Sequence, residues 1–244
     1  MNYTTFAQLY DQLMDPEIYE SWLEYFKQRV SPNSGMVLDL GCGAGALTMQ
    51  LKKAGFQMEG LDLSDEMLSL ASERMSRANV FFPVYQADMT DLNGLGQYAV
   101  VVSTLDSLCY LANFAELGKV FREVYAHLKE HGKFLFDVHS VYQMEKVFPD
   151  YMYNYQDQNE AFLWHSYPTD VSYGIEHELT FFIKDQATKN YQRLTEHHYE
   201  RTYPLANYID LLKEVGFKKV EVKADFGRSS VKNDSTRWFF CCDK

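Results

Sequence analysis

Three carboxylates and a run of glycines are spaced for nucleotide chemistry. Residues 37–46 read V-L-D-L-G-C-G-A-G-A. An apolar stretch ends there in Gly41, Gly43 and Gly45, and glycine both tolerates a sharp turn and lets a ligand approach the main chain. The helix that follows would point its free N–H groups at that ligand. Such a segment is the cofactor-binding turn of a doubly wound α/β domain. Gly41, Gly43 and Ala46 also satisfy the dinucleotide pattern G-x-G-x-x-A. Asp39 discriminates, because a carboxylate just before the turn suits a cationic amine better than a pyrophosphate. Asp62 closes the next apolar stretch, M-E-G-L-D-L-S, where it can accept hydrogen bonds from a ribose diol. Asp88 closes the third, V-Y-Q-A-D-M. Together the three acids suit an adenosine carrying a positively charged amino-acid tail.

More reactive residues lie farther along. The stretch 103–111, S-T-L-D-S-L-C-Y-L, opens from an apolar run, and ligands of this fold bind beyond the carboxyl ends of strands. Asp106 and Tyr110 should therefore face the reacting atoms or the substrate, although Asp106 also suits a loop-fixing role. D-V-H-S places Asp137 and His139 at another strand end. His139 is the first choice for general base, since imidazole exchanges protons near neutrality; a structural loop histidine is the other reading.

At this point the chain resembles the class I S-adenosylmethionine-dependent methyltransferases. The matching pieces are V-L-D-L-G-C-G-A-G (37–45), G-L-D-L-S (60–64), Q-A-D-M (86–89) and L-K-E-H-G-K-F-L-F-D (128–137). The likeness covers most of the chain, with a divergent block near 145–200. It implies S-adenosyl-L-methionine as cofactor. By that resemblance, Asp39, Gly41, Cys42, Gly43 and Gly45 belong to its methionine end. Asp62 belongs to the ribose, Asp88 and Met89 to the adenine, and Leu63 and Thr104 to the same site. Family members often cover the cofactor with an N-terminal lid bearing an aromatic hydroxyl, for which Tyr10 is the first choice and Tyr3 the second; packing tyrosines are the alternative. The family's D/N-P-P-Y motif is replaced by Thr104-Leu105-Asp106-Ser107, which lowers the case for methylation of bases or glutamine amides.

The elements that must hold these residues follow from periodicity and punctuation. An amphipathic helix follows Pro16, with Ile18, Trp22, Leu23 and Phe26 on one side. Strands are predicted over 37–40, 58–62, 80–87, 98–103, 133–137, 217–224 and 235–242. Helices are predicted over 46–53, from the Ser64 cap to about 75, from Asn113 to 128, and over 206–213. The unbroken V-V-V of 100–102 suggests burial on both faces, as in a parallel sheet. The last strand should run antiparallel between neighbours, as in the resembled family. The fold expected is a doubly wound, Rossmann-like, seven-stranded and mostly parallel sheet with an inserted antiparallel β subdomain. Residues 1–141 would hold the lid helices and cofactor core, 142–203 the insertion, and 204–244 the completion of the core.

Three strands are predicted in the insertion, over 161–167, 172–184 and 190–202. Substrate identity should be written there, in Trp164, His165, Glu176, His177, Glu178, His197, His198, Tyr199 and Arg201. Alternation sends Tyr191, Arg193, Thr195, His197, Tyr199 and Arg201 to one face, and Leu194, Glu196, His198 and Glu200 to the other. Arg201 or His198 could bind an acidic substrate group; the sequence leaves open which face looks inward. No metal is expected, because no H-E-x-x-H helix exists and adjacent strand histidines point apart. The aromatics equally suit a dimer interface, so monomer and homodimer both stand.

Composition narrows the function classes. The 244 residues carry a formal charge of −11, which argues against a large nucleic-acid face. Cys42, Cys109, Cys241 and Cys242 have neither metal-ligand nor disulfide spacing and fit a reducing cytoplasm. No apolar stretch is long enough to span a membrane. The expectation is a methyltransferase acting on N or O of a small molecule, with His139 as base and Asp106 and Tyr10 orienting the substrate or touching the cofactor. An RNA or protein methyltransferase, a non-catalytic cofactor-binding module and, more distantly, a nicotinamide oxidoreductase are the rivals.

Overall fold

The computed structural model describes residues 16–244; Tyr3 and Tyr10 lie outside the described residues. Helix α1, Pro16–Lys27, starts on a proline, whose missing N–H costs nothing in a first turn. It buries Trp22, Tyr25 and Phe26 against Phe56 and Phe239. Strands β1 (Met36–Leu40), β2 (Gln57–Asp62), β3 (Val84–Gln86), β4 (Tyr98–Ser103) and β5 (Leu128–His139) are separated by helices α2 (Ala46–Lys53), α3 (Asp65–Ala78) and α4 (Phe114–His127), except that a loop alone joins β3 to β4. Four further strands, β6 (Met152–Gln156), β7 (Glu160–Pro168), β8 (Gly174–Lys184) and β9 (Tyr191–Arg201), precede helix α5 (Leu205–Val215) and strands β10 (Lys219–Lys223) and β11 (Arg237–Asp243).

One sheet has the order β10-β11-β5-β4-β1-β2-β3. Strand β11 runs antiparallel to both neighbours, and the other pairings are parallel. The order reverses at β1 and β4, so their carboxyl ends flank a crevice. Central strands are buried on both faces; Val100, Val101 and Val102 are all inaccessible. The second sheet, β6-β7-β8-β9, is antiparallel throughout. This is a doubly wound fold of the Rossmann type with an inserted β layer.

Some boundaries differ from expectation for identifiable reasons. Strand β3 is three residues long rather than the eight of 80–87. The Val80 N–H closes the end of α3 on Met75 O at 3.1 Å, and Pro83 has no N–H to offer a ladder. Strand β5 begins at Leu128, five residues early, because its register shifts between Tyr98 and Val100 of β4. The insertion has four strands where three were predicted. Strand β6 is exposed at every position, so it shows no inside–outside alternation to read.

Register decides which face of the insertion looks inward. Leu194, Glu196, His198 and Glu200 sit opposite Phe181, Leu179, His177 and Ile175, and those four β8 side chains are buried. Phe162, Leu179 and Phe181 make a small core at the far end. At the near end, Phe148 and Ile175 join the main core beside Trp238.

Candidate cofactor and acceptor site

The glycine turn is built by hydrogen bonds that leave its ligand side open. Gly41 and Cys42 N–H both donate to Leu61 O, at 2.8 and 2.9 Å. Gly43 N–H donates to Asp62 Oδ2 at 2.7 Å, and Ser64 N–H to Asp62 Oδ1 at 2.9 Å. Both Asp62 oxygens are thus fixed while keeping lone pairs for another donor. Gly41 has φ +79°, and a Cβ there would lie 2.9 Å from Ser107 Cβ. Gly43 has φ +52° with open space where its Cβ would be. Gly45 caps α2 with no side-chain bond, so the first N–H groups of that helix stay available.

The crevice encloses about 690 Å³ above these strand ends. Asp39, Gly41, Cys42, Gly43, Asp62, Leu63, Asp88, Met89, Thr104, Tyr110 and His198 all line it. Gly45 does not; its Cβ position is 3.3 Å from Ala71 and Phe82, so there it serves close helix packing. Asp106, His139, Trp164 and Arg201 are also absent from the lining. Sequence reasoning gave no site role to several residues that line the crevice, among them the acids Glu66, Glu116 and Glu196. Alternation had placed Glu196 beside His198, but only the pairing register turns that face inward.

Asp39 tests what the crevice could hold. It is 1% exposed. Thr48 Oγ1 donates to its Oδ2 at 2.5 Å, and Oδ1 has no hydrogen-bond partner. Burial raises its pKa to about 7, against the opposing Thr48 bond, with the Asp62 charge adding to the rise. A buried carboxylate with a bare oxygen at a ligand crevice is complementary to an ammonium group. A pyrophosphate there would be repelled.

Comparison with known proteins agrees with that chemistry. A family profile described as a methyltransferase domain matches residues 37–132. A protein of Geobacillus sp. (strain WCH70), named for an inferred methyltransferase activity, is 36% identical over the full length of both chains. The crystal structure of an S-adenosylmethionine-dependent methyltransferase from Clostridium acetobutylicum superposes with a TM-score of 0.86 at 27% identity, covering 99% of this chain and 98% of that one. The chain belongs to the class I S-adenosylmethionine-dependent methyltransferases. A more distant relative, an amino-sugar nucleotide N,N-dimethyltransferase of Streptomyces venezuelae, is 31% identical over 42% of this chain and 41% of its own.

In this methyltransferase the remaining polar residues form a buried cluster at the seam between the two sheets. Leu105 and Asp106 both have φ near +55°, a conformation that costs energy outside glycine. The turn directs Asp106 at Arg237 of β11, which also bonds Asp137. Burial would raise the Asp106 pKa, but the charges of Arg237 and His139 pull it below the usual carboxylate range. Burial prevails at Asp137, which is raised despite Arg237. His139 Nε2 lies 3.4 Å from Asp106 Oδ2 and 3.6 Å from Glu200 Oε2. Glu200 Oε1 is 3.7 Å from His177 Nε2.

The acids and His139 are close enough to raise the question of a cation. Arg237 already supplies it, with Nη2 3.5 Å from His139 Nε2, so a metal ion there would face a guanidinium. His177 Nδ1 accepts from Trp164 Nε1 at 3.1 Å, which fixes Trp164 away from the crevice. Arg201 falls on the opposite face of β9 to Glu200, with its guanidinium over the Tyr203 ring. Nothing in the sequence linked Arg237 or Glu200 to His139, since they meet it across 98 and 61 residues.

Proposed function

We propose that this methyltransferase acts on a small molecule at a nitrogen or oxygen atom, with an amine nitrogen the favoured acceptor. The observation that carries the reading is the Asp39 carboxylate, buried in the crevice floor with one oxygen bare. The bound cofactor supplies an electrophilic methyl group on a positively charged sulfur. Asp39 would hold its ammonium, Asp62 its ribose hydroxyls, and Asp88 with Met89 its adenine. Gly43 leaves room for the amino-acid end, and the α2 N-terminus offers N–H groups to a carboxylate.

The acceptor end supports a small amine. Tyr110, Glu116, Glu196 and His198 line the crevice, the last two carried by β9 of the insertion, and among the described residues no lysine or arginine lines it. Carboxylates there favour a cationic amine and disfavour a phosphate backbone. The N,N-dimethyltransferase relative acts, by its name, on an amino sugar nucleotide. Positioning and water exclusion would do most of the catalytic work, and the acceptor's proton needs a base.

The test has two parts. Calorimetric titration with S-adenosylhomocysteine should show binding, and NADH should not. Transfer of a labelled methyl group should then be measured to a panel of amino sugars, other small amines and hydroxy acids, beside bulk RNA and protein. Transfer to RNA or protein alone would overturn the small-molecule reading.

A further inference from the structure

The crevice carries more negative charge than the cofactor can answer. We propose that Glu196 binds a second positive charge on the acceptor, remote from the nitrogen that is methylated. The substrate is then a small molecule with at least two amino groups and no phosphate. This rests on the small-amine reading of the same crevice and narrows it to a class.

The acids lining the crevice can be assigned one at a time. Asp39 would take the cofactor's ammonium, and Asp62 and Asp88 its nucleoside. Glu116 is occupied by its own helix. Ala112 N–H donates to its Oε2 at 3.0 Å, and its own N–H donates to Asn113 Oδ1 at 3.0 Å, a reciprocal cap of α4. Glu66 sits in the first turn of α3, where the helix N-terminus favours an acid. Glu196 has neither support. It lies on strand β9, opposite Leu179 and on the inward face, and it lines the crevice.

No basic side chain answers Glu196. Among the described residues no lysine or arginine lines the crevice, and residues 1–15 contain neither type. His198 Nε2 lies 3.4 Å from Glu196 Oε2. Burial and the neighbouring His197 lower the His198 pKa, so that imidazole is mostly neutral at pH 7. Burial and the Glu66 charge raise the Glu196 pKa, as expected of a carboxylate whose charge is uncompensated.

The wall around Glu196 suits an ammonium group. The rings of Tyr110 and His198 meet edge to face with centroids 6.0 Å apart, which joins the core turn after β4 to β9. Tyr110 also lines the crevice and is 45% exposed. An aromatic face near a carboxylate favours a cation.

Reactivity requires that this cation be a second one. The nitrogen that attacks the methyl carbon must bring a lone pair, so it is uncharged at that moment and cannot serve as the ion for Glu196. Another ammonium, separated from it by carbon atoms, keeps its charge throughout. The lack of cations also weighs against a nucleotide-linked acceptor like that in the name of the Streptomyces venezuelae relative. Its diphosphate would meet only acids in this crevice.

Methyl transfer from labelled S-adenosylmethionine to paired acceptors tests the second charge. The panel holds linear diamines, polyamines and diamino sugars, each beside a counterpart with one amine replaced by hydroxyl or methyl, and a nucleotide diphosphate-linked amino sugar. Wild-type kcat/KM should be at least about tenfold higher for a diamine than for its counterpart. Glu196→Gln, a change at a half-exposed side chain, should raise the diamine KM about five- to tenfold, the scale of a partly screened ion pair, with kcat less affected. Glu196→Asp, which keeps the charge, should retain most of the preference for diamines. Equal kcat/KM for diamines and counterparts, an equal KM rise for both in Glu196→Gln, or preference for the nucleotide-linked sugar would overturn the proposal. Transfer to the counterparts at the diamine rate would sink the second charge alone. Transfer only to RNA or protein would sink the small-molecule reading with it.

Discussion

Cofactor binding should expel a proton, and Asp39 should be its source. In the free protein burial holds this carboxyl at a pKa of about 7, so at pH 7 about half the molecules carry the proton. An ammonium group against Oδ1 stabilises only the ionised form. Binding at pH 7 should therefore release about 0.5 proton per site, rising toward about 1 at pH 6 and falling toward zero at pH 8.5. Affinity should weaken as pH falls through 7, approaching tenfold per unit below it. Titrating S-adenosylhomocysteine calorimetrically in two buffers of different ionisation enthalpy measures the proton directly. In Asp39→Asn the release should vanish. Loss of a charge-assisted bond worth roughly 1.5–3 kcal/mol should weaken binding by about 10- to 150-fold. Proton release equal in wild type and Asp39→Asn, or an affinity flat from pH 6 to 8, would refute the assignment of Asp39 to the ammonium.

Other substitutions separate the remaining roles. Asp62→Ala removes acceptors for Gly43 and Ser64 N–H as well as the ribose contact. It should weaken S-adenosylhomocysteine binding by at least about tenfold, on the scale of hydrogen bonds to a charged group; unchanged calorimetric affinity would remove that role. Arg237→Met leaves Asp106 and Asp137 buried without their shared cation and should cost about 3–5 kcal/mol in urea unfolding. His177, at about 4 folded against 6.5 as a free side chain, resists protonation only in the native state. Its contribution is present above pH 6.5 and is lost as pH falls toward 4, an effect on the order of 3 kcal/mol. His177→Phe should flatten the acid side of a thermal-stability profile in that interval, and an unchanged profile would count against the burial argument.

The cofactor half of the site was readable because local rules determine it. Glycines at a strand–helix turn, an acid two residues before them and an acid closing the next strand are consequences of a single βαβ unit. Each position is fixed by neighbours a few residues away or by parallel pairing, such as Asp39 opposite Gly60. Strand β11 was placed antiparallel in the sheet by family likeness, and its pairing with β5 and β10 gives that placement a physical basis. Strand β6 was invisible because exposure on both faces erases the period of two on which strand recognition depends.

The acceptor half depends on meetings across the chain that no local rule dictates. Arg237 looks like an ordinary charge at the start of a strand. Only the antiparallel register of β11 on β5 sets it opposite His139, and only the left-handed turn at Leu105 and Asp106 brings Asp106 to it. Glu200 is similar: alternation put it on one face with Glu196 and His198, but pairing with Ile175 was needed to show that this face is buried. Burial then reverses the simplest reading of these residues. A surface Glu200 would be a solvated charge, whereas here it is a carboxyl that burial favours as neutral. The imidazole that looked like a free base at a strand end does not line the crevice, and two carboxylates, Asp106 and Glu200, face its Nε2 instead.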